Sequence, residues 1–314
     1  MRKLAVLGCL LALLLAACAP RVQGLGPEAV VPRLDSDALI AGDGARLPMA
    51  VWPAAGKPRA VLVALHGYNM YRNYFADPAP WWAERGITVY AYDQRGFGAA
   101  PEPGIWGGNE AMAADARAMV AAVRQAHPGT PLYLLGCSMG AAVALLVLGQ
   151  DPEPAIDGAI LIAPAVWGGE ALNPLLRAGM WLTAHTTPWN RATGGGLRRR
   201  PTDNIDVLYR FGDDPLVIKY SRVDAIYGLT NLMGDALAAG PRVKAPLLIL
   251  YGANDELVPP GAIDLLRRKL KAPHRFVQYP DGWHMLLHDK QARQVWRDIA
   301  TWIDDSQAVL PSAH

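Results

Sequence analysis

The chain has 314 residues, of which 52% are hydrophobic and 18% charged. That suffices for one large α/β domain or two modest ones and is too apolar for a disordered chain. The 30 basic residues against 28 acidic ones leave a formal charge of +2, which argues against nucleic acid as the main partner, because phosphate binding needs a concentrated excess of cations. Three cysteines are too few for a disulfide scaffold and the wrong number for a zinc cluster.

Residues 1–17 read as an export signal. Arg2 and Lys3 give a positive start, and the apolar run from Leu4 to Ala17 is ended early by Pro20 and Arg21, too soon for a lasting membrane helix. Arg2 and Lys3 also account for the whole formal excess of charge, so a processed chain is neutral. The run closes in Leu15-Ala16-Ala17-Cys18, which resembles the lipobox of bacterial lipoproteins. That resemblance implies cleavage before Cys18, a lipid on its thiol and a membrane-anchored, extracytoplasmic protein, facing the periplasm in a Gram-negative cell. The alternative is an ordinary secretory signal with an incidental cysteine. Residues 18–36, rich in proline and glycine, are expected to form a tether.

From residue 37 strands alternate with helices. Residues 38–40 and 47–52 flank the turn Gly42-Asp43-Gly44, a hairpin signal. Short continuous apolar runs at 60–65, 87–92, 132–135, 159–162 and 247–251 have the pattern of strands buried on both faces of a parallel sheet. A further strand is expected at 275–279. Helices are expected at 110–127 with Asn109 as N-cap, at 139–148, at 263–270 and at 291–303. Together these predict a mostly parallel, eight-stranded α/β sheet with helices on both faces, spanning 37–304, and a tail over 305–314. The alternation breaks between about 165 and 244. An insertion that follows a strand's C-terminal end should form a helical cap over the ligand-binding edge of the sheet. Its Gly194-Gly195-Gly196 stretch reads as a flexible point. The run Arg198-Arg199-Arg200 reads as a solvated face, with anionic lipid headgroups as the other possibility.

Gly136-Cys137-Ser138-Met139-Gly140 follows the apolar strand at 132–135 and opens the apolar helix at 139–148. This is the setting of a nucleophile elbow: the turn strains the serine backbone and raises its Oγ above the sheet at a helix N-terminus. A Cβ at either glycine position should clash with the neighbouring strand or helix. Cys137 is expected to be buried as a small hydrophobe. No cluster has metal-ligand spacing and no glycine-rich stretch carries a phosphate-loop lysine, so neither metal nor cofactor is expected.

Here the sequence resembles the α/β-hydrolase fold, in particular its monoacylglycerol lipase, lysophospholipase and serine aminopeptidase-like group. The resemblance runs from about 38 to 304. It rests on His66-Gly67-Tyr68-Asn69, Asp93-Gln94-Arg95-Gly96-Phe97-Gly98, the elbow, Ala163-Pro164-Ala165, Gly252-Ala253-Asn254-Asp255 and Asp281-Gly282-Trp283-His284, in that order. It implies a catalytic set in the order serine, acid, histidine: Ser138 as nucleophile, Asp255 as acid and His284 as base. His288 is the runner-up base, expected on the following helix; Glu256 is the neighbour to exclude as acid, and Asp281 reads as a turn residue. The resemblance assigns the oxyanion donors to the backbone N–H groups of Tyr68 and Met139. It makes His66, Asp93 and Arg95 structural.

A serine set of this kind implies acyl transfer through an acyl-serine. Leu175, Met180 and Trp181 of the cap, with Leu176, could line an acyl pocket or form the cap's own small core. Residues 213–217, Asp-Asp-Pro-Leu-Val, resemble a stretch near the end of the cap in lipase-like members. The reading is a carboxylic ester hydrolase acting on a lipid-derived acyl ester, monoacylglycerol or lysophospholipid. The alternatives are an aminopeptidase-like amide hydrolase, with Glu170 or Asp214 as candidate acidic subsite, and a non-catalytic envelope lipoprotein.

Overall fold

A computed structural model of the chain describes residues 19–193 and 199–313. The expected signal, Cys18, Gly194-Gly195-Gly196 and Arg198 lie outside the described residues. The strands in chain order are β1 (Arg33–Leu34), β2 (Ala38–Ile40), β3 (Arg46–Trp52), β4 (Ala60–Leu65), β5 (Ile87–Tyr92), β6 (Leu132–Cys137), β7 (Gly158–Ile162), β8 (Arg191–Ala192), β9 (Ser221–Arg222), β10 (Leu247–Gly252) and β11 (His274–Tyr279). Nine of them form one sheet in the order β1-β2-β3-β5-β4-β6-β7-β10-β11. The six strands from β5 to β11 are parallel, and β1 to β3 add antiparallel at one edge. This is the α/β-hydrolase arrangement. The eight expected strands are all present; the ninth, β1, is a two-residue edge pairing to which hydrophobic periodicity is blind.

The helices are α1 (Pro78–Ala83), α2 (Asn109–Ala126), α3 (Met139–Leu148), α4 (Pro174–Thr186), α5 (Ile205–Asp213), α6 (Val223–Ala239), α7 (Pro260–Lys269) and α8 (Ala292–Asp304). Strand β4, AVLVAL, shows why the sheet is sandwiched. Val61, Val63 and Leu65 pack with α2 and α3, while Leu62 and Ala64 pack with α1 and α8 on the other face. Every residue of β4 is buried, so a polar substitution on either face would sit without a partner. The cap comprises α4, α5, α6 and the small β8-β9 ribbon, between β7 and β10.

Three local expectations change. Asn109 is the first residue of α2 rather than its cap; Gly108, at φ +92°, makes the turn into the helix. The Asn109 side chain accepts from Trp106 Nε1 at 3.1 Å and donates to Asp235 of the cap at 2.7 Å. Much of the segment expected to be a tether lies along the domain: Val22 pairs with Trp106, Gln23 N donates to Trp106 O at 2.9 Å, and Ala29 N donates to Gly42 O at 2.8 Å. In the C-terminal tail Leu310 is buried and Ser312 N donates to Asp298 Oδ1 at 3.0 Å.

The loops after β4 and β5 are braced by the residues read as structural. His66 is fully buried; its Nε2 accepts from Gln94 N at 3.0 Å and its Nδ1 faces Gly67 O at 2.8 Å. Those partners require a neutral ring, and desolvation by burial pulls its pKa down to about 4. Asp93 accepts from Arg72 N and Ala99 N at 2.9 and 2.8 Å. Arg95 makes bidentate pairs with Asp43 and Asp115, and the first of these holds the Asp43 carboxyl down at about 2.

Three outcomes are expected. A Cβ on Gly140 would lie 2.1 Å from Leu65 O, a backbone atom that cannot step aside, so Gly140→Ala should cost about 3 kcal/mol or more in denaturant unfolding. Gly179, in α4, has nothing within 4 Å of its built Cβ, and Gly179→Ala should stabilise by ~0.5–1 kcal/mol. The third concerns His66. Between the ordinary imidazole value of 6.5 and about 4 the unfolded chain takes up a proton that the folded one refuses. Stability should therefore fall as pH drops through that window, by about 3 kcal/mol from this residue. Unfolding midpoints at pH 7 and 4.5 should show a shallower fall in His66→Gln; an unchanged slope would contradict the account.

Candidate active site

Ser138 sits between β6 and α3 with φ +51° and ψ −111°, a region that non-glycine residues avoid. Such a residue costs about 1–3 kcal/mol and persists only where its surroundings over-determine it. Here they do. Ser138 N donates to Ile162 O at 2.8 Å, and Ser138 O accepts from Ala165 N at 3.1 Å. A Cβ on Gly136 would lie 2.4 Å from Gly140 O, so the crossing of strand and helix tolerates glycine alone. Met139 is the first residue of α3, and its N–H belongs to the turn that a helix leaves unpaired. Cys137 is buried beside the serine; burial pushes its thiol well up and keeps it protonated.

The loops that carry Asp255 and His284 are built from the ends of β10 and β11. Asp255 Oδ2 accepts from His284 Nδ1 at 2.8 Å, while its Oδ1 accepts from Leu257 N and Val258 N at 2.7 and 3.0 Å. The carboxylate side chain is completely buried, so both oxygens are satisfied by fixed donors and the imidazole is held in one orientation. The loops are pinned to each other through Asn254 N to Gly282 O at 2.8 Å. Gly252 passes so close to Gly282 and Trp283 that a Cβ would approach to 2.4 Å.

Asp289 supports the histidine loop from behind. It accepts from Trp283 N at 2.8 Å and from Thr202 Oγ1 of the cap at 2.6 Å. Burial raises its pKa, against the pull of those donors. Sequence reading missed it, because an aspartate in a turn carries no signal of its distant partner. Glu256, the excluded neighbour, faces Arg200, whose backbone N donates to it at 2.6 Å. His288 lies in the turns before α8, not on the helix. It is buried with Nε2 against Tyr74 O at 2.9 Å and Nδ1 3.3 Å from Asp77, and it lines a different cleft from the one containing Ser138.

Ser138 and His284 open into one cavity of about 440 Å³ beneath the cap, which Tyr68 also lines. Among the described residues no hydrogen bond joins Ser138 Oγ to His284; contacts of this kind commonly tighten only when substrate fills the site. The Tyr68 N–H has no hydrogen-bond partner among the described residues. Its loop crosses close to the serine, where a Cβ on Gly67 would lie 3.6 Å from Ser138 Cβ. None of the described residues lining this cavity is Asp, Glu, Lys or Arg.

The expected pocket residues divide. Met180 lines the cavity, with Leu176 one turn before it on α4 and Leu172 just ahead of the helix. Leu175 and Trp181 do not: they lie on the outer side of α4, 83% and 51% exposed, and Trp181 stacks on His185. Helix α4 is apolar on two sides, so periodicity could not say which one faces inward. Phe211 of α5 and Met233 of α6 also line the cavity. Glu170 and Asp214, the candidate acidic subsite, lie elsewhere. Glu170 pairs with Lys269 at 2.6 Å, and Asp214 accepts from Tyr71 Oη at 2.7 Å.

Similar proteins agree with this architecture. The chain is 26% identical to a monoacylglycerol lipase of Mycolicibacterium smegmatis over 83% of this chain and 93% of that protein. It is 23% identical to the monoglyceride lipase of Homo sapiens, over 90% and 95%. Among solved structures, a soluble variant of monoglyceride lipase from Saccharomyces cerevisiae, in complex with a substrate analogue, superposes with a TM-score of 0.73 at 21% identity, covering 91% of this chain and all of the other. The Paleococcus ferrophilus monoacylglycerol lipase gives 0.67 at 22% identity, over 82% and 98%. The model of the family described as serine aminopeptidase, S33, matches residues 56–291. With three quarters of its length matched in this way, the chain belongs to that family of α/β-hydrolases.

Proposed function

We propose that the chain hydrolyses monoacylglycerol or a similar single-chain carboxylic ester, with Ser138 as nucleophile, His284 as base, Asp255 as acid and the N–H groups of Tyr68 and Met139 as oxyanion donors. The observation that carries the reading is the cavity itself. A strained serine and a carboxylate-oriented histidine share one apolar chamber without a charged wall. Such a chamber suits an acyl chain, whereas a substrate ammonium would sit there without a counter-ion. The monoglyceride lipases among its relatives support the same substrate class.

In this reading His284 Nε2 takes the Ser138 hydroxyl proton as Oγ attacks the ester carbonyl, and Asp255 steadies the resulting imidazolium. The oxyanion forms where the Tyr68 and Met139 N–H groups converge, and each such donor is worth ~10²–10³ in kcat. Collapse transfers the proton to the departing glycerol oxygen and leaves an acyl-serine. A water, deprotonated by the same imidazole, then releases the fatty acid and restores the serine.

Ser138→Ala and His284→Ala should each reduce monoacylglycerol turnover by at least about 10³ with unchanged unfolding midpoints. A fluorophosphonate probe should label wild type and leave Ser138→Ala unlabelled; equal labelling would place the nucleophile elsewhere.

We propose further that Cys18 carries the lipid anchor, after removal of residues 1–17, and holds the enzyme on a membrane facing an extracytoplasmic space. The sequence pattern at Leu15-Ala16-Ala17-Cys18 supports this reading. Among the described residues no helix is long and apolar enough to cross a membrane. Labelled palmitate should enter the wild-type protein and not Cys18→Ala; incorporation into both would overturn the assignment.

A further inference from the structure

The loop that carries Tyr68 is fastened to the cap. Gly67 to Met70 form a tight turn closed by Met70 N to Gly67 O at 3.2 Å, and its third residue, Asn69, has φ +64°. A positive φ at that position alone is the requirement of a type II turn, which glycine and asparagine meet. Tyr68 is the second residue of the turn, so the turn's shape sets where its N–H lies. Nothing within the loop itself holds the Asn69 side chain. Its Nδ2 donates to Ser221 Oγ of β9 at 2.8 Å, and Ser221 Oγ lies 3.3 Å from Asn69 Oδ1. The Asn69 backbone joins in: Ile218 N donates to Asn69 O at 3.0 Å.

The same cap strand is anchored on its far side. Ser221 leads into Arg222, which pairs with the buried Asp224 at the start of α6. Asp224 Oδ2 also accepts from Arg21 N at 3.1 Å. Behind Tyr68, the rings of Phe97 and Trp106 lie 5.5 and 6.4 Å from its own, centroid to centroid. Gly228 of α6 passes so close to Trp106 that a Cβ would approach to 2.5 Å. The cap therefore contacts the Tyr68 turn through a polar clasp and backs it through an aromatic wall.

We propose that Asn69 is a positioning residue, which through Ser221 makes the placement of the Tyr68 N–H depend on the seating of the cap's return strand. This rests on the assignment of Tyr68 as an oxyanion donor above. An oxyanion donor is worth most when it is fixed before charge develops. A loop held only by its own turn could rotate that N–H by small φ changes; the amide–hydroxyl clasp removes the freedom. The contribution is to the transition state, where the oxyanion exists, and not to the binding of the neutral ester.

Asn69→Gly tests this directly, since glycine keeps the positive φ at no steric cost while deleting the clasp. Ser221→Ala deletes it from the other side, and Asn69→Asp keeps an acceptor for the Ser221 hydroxyl in a residue that tolerates the turn. With active sites titrated by fluorophosphonate, Asn69→Gly and Ser221→Ala should each lower kcat on a short p-nitrophenyl ester by about tenfold, a fraction of the loss of a whole donor, with KM within twofold. The affinity for a trifluoromethyl ketone, which forms the oxyanion adduct, should fall by the same factor. The double variant should be no worse than either single one, and Asn69→Asp should recover part of the rate. A loss of thermal stability with kcat per titrated site and ketone affinity unchanged would overturn the proposal. Failure of the underlying serine assignment would look different, because wild type itself would then not be labelled at Ser138.

Discussion

The site depends on one close crossing, where the start of α3 passes over the ends of β4 and β6. Gly140 lies against the Leu65 and His66 carbonyls, and Gly136 lies against Gly140 and Ala141. No side chain fits at either place. That approach forces the backbone at Ser138 into positive φ and brings the loop after β4 to the serine's flank. The strain is met by burial on both sides: β4 is inaccessible along its whole length, and α3 is buried at all but one of its positions. A looser core would let the elbow relax and lower the serine away from the cavity. The two apolar layers are in this sense the support on which the chemistry rests.

Around that fixed point the structure separates two tasks. Orientation of the proposed catalytic groups is given to strand ends and to satisfied buried polar atoms, as at Asp255, where each carboxylate oxygen has its donors. Selection of the acyl group is assigned in this reading to the cap, whose contribution to the cavity is almost wholly apolar, with Leu172, Leu176, Met180, Phe211 and Met233 among it. The two meet where the cap reaches back to the catalytic loops. Thr202 bonds Asp289 behind the histidine, and Ser221 bonds Asn69 beside Tyr68, the proposed oxyanion donor. An insertion that only covered the site would need neither contact.

The framework was readable in the sequence because its signals are local. Strands β4 and β5 are buried on both faces, so each appears as an uninterrupted apolar run with the bounds the structure gives. The elbow was legible because strand, glycines and helix are contiguous. What was not legible depends on partners far along the chain. Arg21 N finds Asp224 203 residues away, so a proline-rich segment that looks free in sequence lies along the domain. Asn69 and Asp289 are ordinary polar turn residues until Ser221 and Thr202 are placed beside them. In the cap, Leu175, Leu176, Met180 and Trp181 share one helix, and choosing the inward side needs the cavity, which no period of 3.6 encodes. Asn109 shows the same limit on a smaller scale: its side chain serves Trp106 and Asp235 instead of its own helix end.

The central claim is that an uncharged chamber over an elbow serine selects an acyl chain on an ester. The most direct test compares kcat/KM of the wild-type enzyme for a long-chain monoacylglycerol with that for an aminoacyl amide bearing a free amine. The account predicts a preference for the monoacylglycerol of at least about a hundredfold, because the amine would be buried without a counter-ion. Equal rates, or a preference for the aminoacyl amide, would contradict it.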